Sequence, residues 1–439
     1  MPHSPFEQPQ LRAERSTQPG SPRTWLWLAL LSLIVPGLTA LLLVALRSLA
    51  VDVGSWTSIF RSALVVHVDL SVFVWFMAVA GLLWSLRPGA ATPKTPWILA
   101  ALGAMLIATA PLFGGAEPVL NNYIPVLRHP LFFFGLGLFA LGMLFAASRG
   151  MQADATQTEA IAEGWILRAA ALTTGIAALV FVHTFARTPH GLIPEQYFET
   201  LFWGTGHVLQ FVYGLLLLFA WLRLAAALNY PLPQNGTVAI AVLLSVLPLS
   251  YAAWLELTAP ILSADYRLGY SALMRWGNAW GPLLIGLPVL WHSLRKLGAG
   301  LCPHQRPIRM ALLSSFLVFA VGGALGYAIQ ETNTVVPAHY HGSIVGVTLA
   351  LMGLIYSLMP RLGYAPVSGR IATAQPAVYA LGQLMHVAGL ALQAAPRKTV
   401  GVEVDALSAL ATQLTRWGGG IAVLGGILFL WACWRAMRR

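Results

Sequence analysis

The amino-acid sequence predicts an all-α membrane protein, a polytopic bundle of about twelve transmembrane helices. Two observations predict this class. The 439 residues are 57% hydrophobic and only 9% charged, with a mean hydropathy of +0.71, a balance that water-soluble domains do not reach. Apolar stretches of the length that crosses a bilayer, about 20 residues, recur along the chain with Gly, Pro and Arg residues between them.

The order of the elements begins with a polar segment. Residues 1–23 are rich in Pro, Ser and Arg, and we interpret them as a disordered cytoplasmic tail. They lead into an apolar run without a cleavage site of small residues, which favours a retained first span over a signal peptide. We expect residues 24–439 to form one membrane domain. Its predicted spans are 24–50, 61–85, 96–114, 130–149, 165–187, 198–226, 236–257, 273–296, 308–330, 339–362, 373–395 and 416–437.

The charges predict the orientation and exclude one class of partner. Lys and Arg residues are more frequent in the segments that share a side with the N-terminus, so the positive-inside rule predicts that both termini lie in the cytoplasm. We expect the membrane to be the bacterial inner membrane. The net charge of +11 is spread over these short loops instead of forming one patch, so we expect membrane lipid and no nucleic acid as a partner.

The two cysteines exclude two further possibilities. Cys302 and Cys433 each lie near a predicted helix end, and no CxxC or CxxCH motif occurs in the chain. This pattern supports neither a disulfide framework nor covalent attachment of c-type heme.

Histidines at one membrane depth carry the functional prediction. His67 in span 2, His207 in span 6, and His339 and His341 in span 10 all fall near the outer ends of their helices. A single intramembrane histidine is more often hydrogen-bonded to a neighbouring helix, but four at one level favour ligands, proton carriers or pore linings.

The motif His339-Tyr340-His341 is the most informative of these features. Successive helical residues are rotated by about 100°, so positions i and i+2 point in nearly opposite directions. The two imidazoles are therefore poorly placed to bind one metal ion but well placed to bind two. One helix could then hold two planar cofactors edge to edge, a geometry suited to electron transfer between hemes.

Two segments carry a resemblance to a known family. Residues 335–342, continuing through Met352 to Pro360, resemble helix X of subunit I of the heme-copper oxidase superfamily. The resemblance implies that His339 is the axial ligand of a high-spin heme and that His341 binds a low-spin heme. The segment from His67 to Trp75 is similar to helix II of the family and implies His67 as the second low-spin ligand, a bis-His pair that favours electron transfer.

The copper site is where the chain departs from the family. Residues 203–207 resemble helix VI, whose histidine is one of three copper ligands, which implies His207 as a metal ligand. The family's helix VII carries an adjacent pair of histidines that this chain lacks, since Leu257 and Thr258 occupy the expected positions. Tyr251 and Glu256 on this helix are our candidate catalytic residues.

Further residues leave alternatives open. His129, His183 and His386 lie at or near outer helix ends, and with Glu256 one of them could form a site that suits non-heme iron better than copper, as in the nitric-oxide-reducing branch. For each of the three histidines taken singly, a hydrogen-bonded structural role or a contact with a heme propionate is the favoured interpretation. Arg397 and Lys398 lie where the family places a basic pair near the propionates.

The resemblance implies two hemes and a respiratory function. We expect electrons to pass through the low-spin heme to the high-spin heme, which reduces O2 or NO, and a companion subunit, a c-type cytochrome or a subunit II, to deliver them. The alternative is a heme-b membrane protein without copper that acts in electron transfer, gas binding or assembly. A heme-free transporter is disfavoured. Its substrate site would lie at the bilayer midplane, whereas the histidines cluster near the outer ends of their helices.

Overall fold

In a computed structural model the described part of the chain is a bundle of long helices with a small β-hairpin. The structure describes residues 21–48, 53–87, 93–152, 161–298, 300–329, 333–393 and 402–439. Residues 1–20 of the predicted tail, and the predicted basic pair Arg397 and Lys398, lie outside these ranges. Within them the predicted all-α class is confirmed.

The helices follow one another along the chain with short connections. In order they are α1 (Pro22–Leu31), α2 (Ile34–Ser48), α3 (Val53–Val68), α4 (Trp75–Ser85), α5 (Lys94–Thr109), α6 (Pro130–Gln152), α7 (Ile161–Arg187), α8 (Pro194–Ala227), α9 (Asn235–Val246), α10 (Leu249–Thr258), α11 (Ala264–Gly277), α12 (Trp280–Arg295), α13 (Gln305–Tyr327), α14 (Val335–Leu358), α15 (Arg370–Gln393) and α16 (Val402–Met437).

Ten candidate membrane spans are found among the described residues. They match ten of the predicted spans to within several residues, except that the last helix begins earlier than predicted. The other two predicted spans, 273–296 and 373–395, are also helical, as the end of α11 with α12 and as α15. The first of these segments is broken at residues 278–279, which leaves α12 with only 16 residues, and α15 is less apolar than most of the candidate spans, so length and hydropathy alone do not select either one.

The predicted histidines lie in the interior of the bundle. In α8, which carries His207, 89% of an apolar 18-residue stretch is buried inside the bundle. The corresponding shares are 78% for α14, which carries the HxH pair, and 72% for residues 57–85, which include His67. In the remaining candidate spans this share is 50% or less. A helix that is apolar on all sides and carries its few polar groups inward is typical of the centre of a membrane bundle.

Two local irregularities lie near these histidines. The second span changes from α-helix to a turn of π-helix at Asp69–Val74 and returns to α-helix in α4; such insertions are frequent at functional sites. Between α5 and α6, strands β1 (Glu117–Val119) and β2 (Val126–Arg128) form an antiparallel hairpin. The residues at its tip, 120–125, extend toward α8.

Candidate heme and metal centre

His67 is held in one orientation by the first span. It lies at the end of α3, and its Nδ1 is 2.9 Å from the carbonyl oxygen of Pro36 in α2. A carbonyl oxygen only accepts hydrogen bonds, so Nδ1 carries the proton and Nε2 keeps its lone pair. The contact with Pro36 thus leaves His67 with the free nitrogen that a metal requires.

His339 is held in the same way on a different helix. Its Nδ1 donates to the carbonyl oxygen of Gly322 in α13 at 2.7 Å, which again leaves Nε2 with its lone pair. Gly326 provides the space for this ring, since a Cβ there would lie 2.7 Å from the imidazole. Fixing a ligand histidine through its second nitrogen is how proteins set ring orientation at metal sites.

His341 lies on another side of α14. Its ring contacts His386 of α15, with the ring centroids 4.6 Å apart and the planes at 62°, whereas His339 contacts α13. The i, i+2 spacing thus directs the two imidazoles to different helices, as the helical rotation predicts. The structure places a potential ligand on each side of α14.

His207 is engaged at both ring nitrogens. Its Nδ1 donates to the carbonyl oxygen of Trp203 at 2.6 Å, and its Nε2 lies 2.8 Å from the hydroxyl of Tyr123. Burial, foremost, raises the pKa of Tyr123 well above its usual value, so the phenol stays protonated and donates to Nε2. In this arrangement neither nitrogen of His207 has a lone pair to give to a metal.

Contacts at the tip of the hairpin position Tyr123 against His207. A Cβ on Gly206 would lie 2.2 Å from the Tyr123 ring, so glycine is required at that position of α8. The backbone N–H groups of Tyr123 and Ile124 donate to the side chain of Asn121 at 3.0 and 2.9 Å. The neighbouring Asn122 donates to Glu199 at the start of α8. Several independent contacts therefore fix the phenol at His207.

Glu256 is the centre of a buried cluster. Its carboxylate accepts from the hydroxyls of Tyr266 and Tyr270 at 2.6 and 2.7 Å, and its other oxygen lies 2.6 Å from Nδ1 of His183. Arg187 donates to the backbone carbonyl of Glu256 at 2.7 Å. The ring of Tyr270 in turn lies 5.4 Å from that of His207, which places the cluster beside the His207–Tyr123 pair.

Some of the residues predicted for the site lie away from the cluster around Glu256 and His207. Tyr251 is 40% exposed and stacks on Trp254 at 5.4 Å, so the predicted catalytic role of Tyr251 gains no support from its position. Leu257 is 80% exposed. His129 stacks on Phe113 at 6.3 Å and contacts the start of α6.

The residues fit heme and do not fit the second metal. His67 and His339 each present an Nε2 lone pair, and His341 lies on a different side of α14 from His339, as the two-heme prediction requires. By contrast, His207 has both nitrogens engaged, and Glu256 accepts three hydrogen bonds. Within the described ranges no three His, Cys, Asp or Glu residues form a group that could hold a metal ion.

Asp69 is an unsatisfied carboxyl group near this region. It follows His67 by two residues at the start of the π-helical turn and is fully buried. Neither carboxylate oxygen has a hydrogen-bond partner among the described residues. Most buried polar side chains are hydrogen-bonded, so Asp69 is an exception inside the bundle.

Comparison with solved structures decides the fold. A heme-copper terminal oxidase, determined as a dimer by cryo-electron microscopy, matches with a TM-score of 0.69 at 13% sequence identity, covering 94% of this chain and 84% of that one. The chain has the heme-copper terminal oxidase fold. The resemblance inferred from the histidine motifs is therefore confirmed as a resemblance of fold.

The sequence relatives of this chain share about 30% or less of its residues. An uncharacterized protein of Aquifex aeolicus is 30% identical over 350 residues, 79% of this chain and 86% of that protein; the chain belongs to the same family. An uncharacterized protein of Rickettsia prowazekii is 27% identical over an alignment of 489 positions, gaps included, which covers 94% of this chain and 95% of the relative.

A further relative is a named oxidase subunit. Cytochrome c oxidase subunit 1 of Thermus thermophilus is 23% identical over 354 residues, which span 70% of this chain and 61% of that protein. No family model matches the chain.

Sequence reasoning missed the partners of His207 and most of those of Glu256. Tyr123 lies in a loop, and Tyr266 and Tyr270 lie on a helix whose tyrosines are typical of the interfacial aromatic belt. A usable signal was the i, i+4 spacing of Tyr266 and Tyr270, which puts both hydroxyls on one helix face. For Tyr123 the corresponding signal is Gly206, because a glycine directly before His207 leaves room for another side chain to pack against the helix at that point.

Proposed function

We propose that this chain is a heme-binding membrane protein of respiratory electron transfer, related in architecture to subunit I of a terminal oxidase. One observation carries the proposal: in an oxidase fold, the rings of His339 and His341 lie on two sides of α14. His67, at the end of α3, is held by Pro36 of α2. Intramembrane imidazoles held this way are functional by default.

The histidines have separate roles in this proposal. His67 and His341 would hold a low-spin heme, and His339 would hold a high-spin heme. The hydrogen bonds from Nδ1 to Pro36 and Gly322 hold two of these rings in place and keep Nε2 as the coordinating nitrogen. Heme supplies the one-electron and diatomic-gas chemistry.

Helix α14 joins the two proposed heme sites. Because His339 and His341 are two residues apart on one continuous helix, both hemes would be tied to a single rigid element and electrons would pass from the low-spin to the high-spin site. The high-spin site would then reduce O2 or NO. A companion subunit, a c-type cytochrome or a subunit II, would be the electron donor in the inner membrane.

A second candidate function is favoured by the state of His207. With Tyr123 on Nε2 and Trp203 on Nδ1, this imidazole would have to break a buried hydrogen bond before it could bind copper, and N-rich copper sites recruit several imidazoles. The chain would then be a heme-b protein without copper, acting in electron transfer, gas binding or assembly.

Histidine variants test the proposal through heme spectra. In the detergent-purified protein, His67→Leu and His341→Leu should each abolish the low-spin signal, and His339→Leu should abolish binding of carbon monoxide to the reduced protein. His304→Ala, an exposed histidine at the start of α13, is the matched control and should change neither signal. If all three interior variants keep both signals, the ligand assignment is wrong.

Turnover separates the two candidate functions. With an artificial reductant, consumption of O2 or NO that is lost in His339→Leu supports the reductase. Two hemes with a carbon monoxide complex and no turnover support the copper-free protein. Absence of heme contradicts both.

A further inference from the structure

His386 is a third imidazole in the region of the low-spin pair. It lies on α15, and its ring meets that of His341 edge to face, with centroids 4.6 Å apart and planes at 62°. Aromatic pairs in this geometry are favourable beyond the area they bury. The contact restricts rotation of the His341 ring about its own χ angles.

The position of His386 is fixed by α16. Its Nδ1 donates to the carbonyl oxygen of Thr415 at 2.9 Å. A Cβ on Gly418 would lie 2.4 Å from the backbone nitrogen of His386, and one on Gly382 would lie 2.3 Å from the backbone of α16. The two helices are in close backbone contact along small residues, the packing typical of membrane helices, so His386 cannot move independently of α16.

The same residues connect to the first span. A Cβ on Gly419 would lie 3.2 Å from Val44 of α2 and 3.6 Å from Nδ1 of His386. Pro36, two turns earlier on α2, holds His67. The elements α2, α3, α14, α15 and α16 therefore gather His67, His341 and His386 in one part of the bundle.

The spacing of the rings decides between two roles for His386. Two imidazoles that ligate one iron from opposite faces of a heme stand farther apart than the 4.6 Å between His341 and His386. His386 is thus not the axial partner of His341 across a heme. It stands beside His341, where it can set the direction in which that ring points.

We propose that His386 is a positioning residue for His341 and fixes the plane of the imidazole that ligates the low-spin heme. The inference rests on the proposed function, because it takes His341 as a heme ligand. Replacing a residue that orients a metal ligand typically changes metal affinity by about 10–100-fold, and the groups around an axial ligand tune the reduction potential of a heme.

The test uses two variants that remove the imidazole. His386→Asn keeps a donor for the Thr415 carbonyl, and His386→Leu keeps apolar volume; if one does not fold, the other decides. In either variant the low-spin electron paramagnetic resonance signal should broaden and shift, and the midpoint potential of that heme should change. His386→Phe restores an aromatic edge beside His341 and should return the signal toward that of the wild type.

Gln393→Leu is the control. Gln393 lies on the same helix and contacts the same Thr415, through the threonine hydroxyl at 3.3 Å, so it reports loss of an α15–α16 contact without loss of the His386 ring. Its low-spin signal should equal that of the wild type. A purely structural role for His386 would lower thermal stability and leave the spectrum and potential unchanged, and that result overturns the inference.

Failure of the inference and failure of the proposed function give different results. If the wild type shows no low-spin heme, the proposed function fails. If the wild type shows it, and the folded His386→Asn or His386→Leu variant has the same signal and potential, only the role of His386 is wrong.

Discussion

The hydroxyl of Tyr123 lies 2.8 Å from Nε2 of His207. This hydrogen bond joins a loop residue to an interior helix and occupies the nitrogen that a histidine offers to a metal. The carbonyl oxygen of Trp203 occupies the other nitrogen. The one histidine that resembles a copper ligand is therefore part of a hydrogen-bonded pair, which leads to the first prediction.

We expect neither the wild type nor the Tyr123→Phe variant to bind copper. The variant frees Nε2 of His207 but supplies no further imidazole, and a lone imidazole does not make a closed copper site. We expect copper far below one per chain in both wild type and variant, by elemental mass spectrometry after incubation with a copper salt and desalting. One copper per chain that disappears in His207→Leu would contradict this.

Gly206→Ala should destabilise the hairpin contact. The added Cβ would lie 2.2 Å from the Tyr123 ring, and overpacking of a filled site costs about 1–3 kcal/mol. The expected result is a lower midpoint of thermal unfolding in detergent. Gly137→Ala on α6 is the control, because a Cβ there would meet nothing within 4 Å, and it should leave the midpoint unchanged or raise it.

Glu256→Leu should be strongly destabilising. It leaves the hydroxyls of Tyr266 and Tyr270 and the Nδ1 of His183 without the acceptor they now share. Each buried donor that loses its partner costs about 1–3 kcal/mol. Thermal unfolding measures the loss, and Thr258→Val on the exposed side of the same helix should have little effect. Equal midpoints for the two variants would show that the cluster carries no stability.

Asp69→Asn should have the opposite outcome. The carboxyl group is fully buried and has no hydrogen-bond partner among the described residues, so replacing it with an amide of the same shape removes no contact. The amide also cannot carry the negative charge of a carboxylate, which is costly to bury without a partner. We expect the unfolding midpoint to be unchanged or higher. A fall comparable to that of Glu256→Leu would mean that Asp69 has a partner that these contacts do not show.

The fold was predictable because the membrane dictates it. Spans are set by bilayer thickness and by the need to satisfy every backbone hydrogen bond internally, so long apolar stretches such as that of α8 were found from hydropathy alone. The spacing of His339 and His341 was equally informative, since helical rotation determines on which sides of α14 the two rings lie.

The hydrogen-bonded partners were not predictable in the same way. Tyr123 reaches His207 from a loop 84 residues away in the chain, and Glu256 collects its donors from two other helices. Such contacts depend on how helices pack in three dimensions, for which one sequence carries no periodic signal. The π-helical turn at Asp69 was missed for the same reason, because its residues are as apolar as those of the helix around it.

The central claim is that the interior histidines hold heme, and the ratio of heme to polypeptide in the detergent-purified protein tests it most directly. A pyridine hemochrome assay beside quantitative amino-acid analysis should give two hemes per chain, one low-spin and one that binds carbon monoxide when reduced. A preparation that is folded by circular dichroism and contains no heme after expression with ample heme supply would contradict the account.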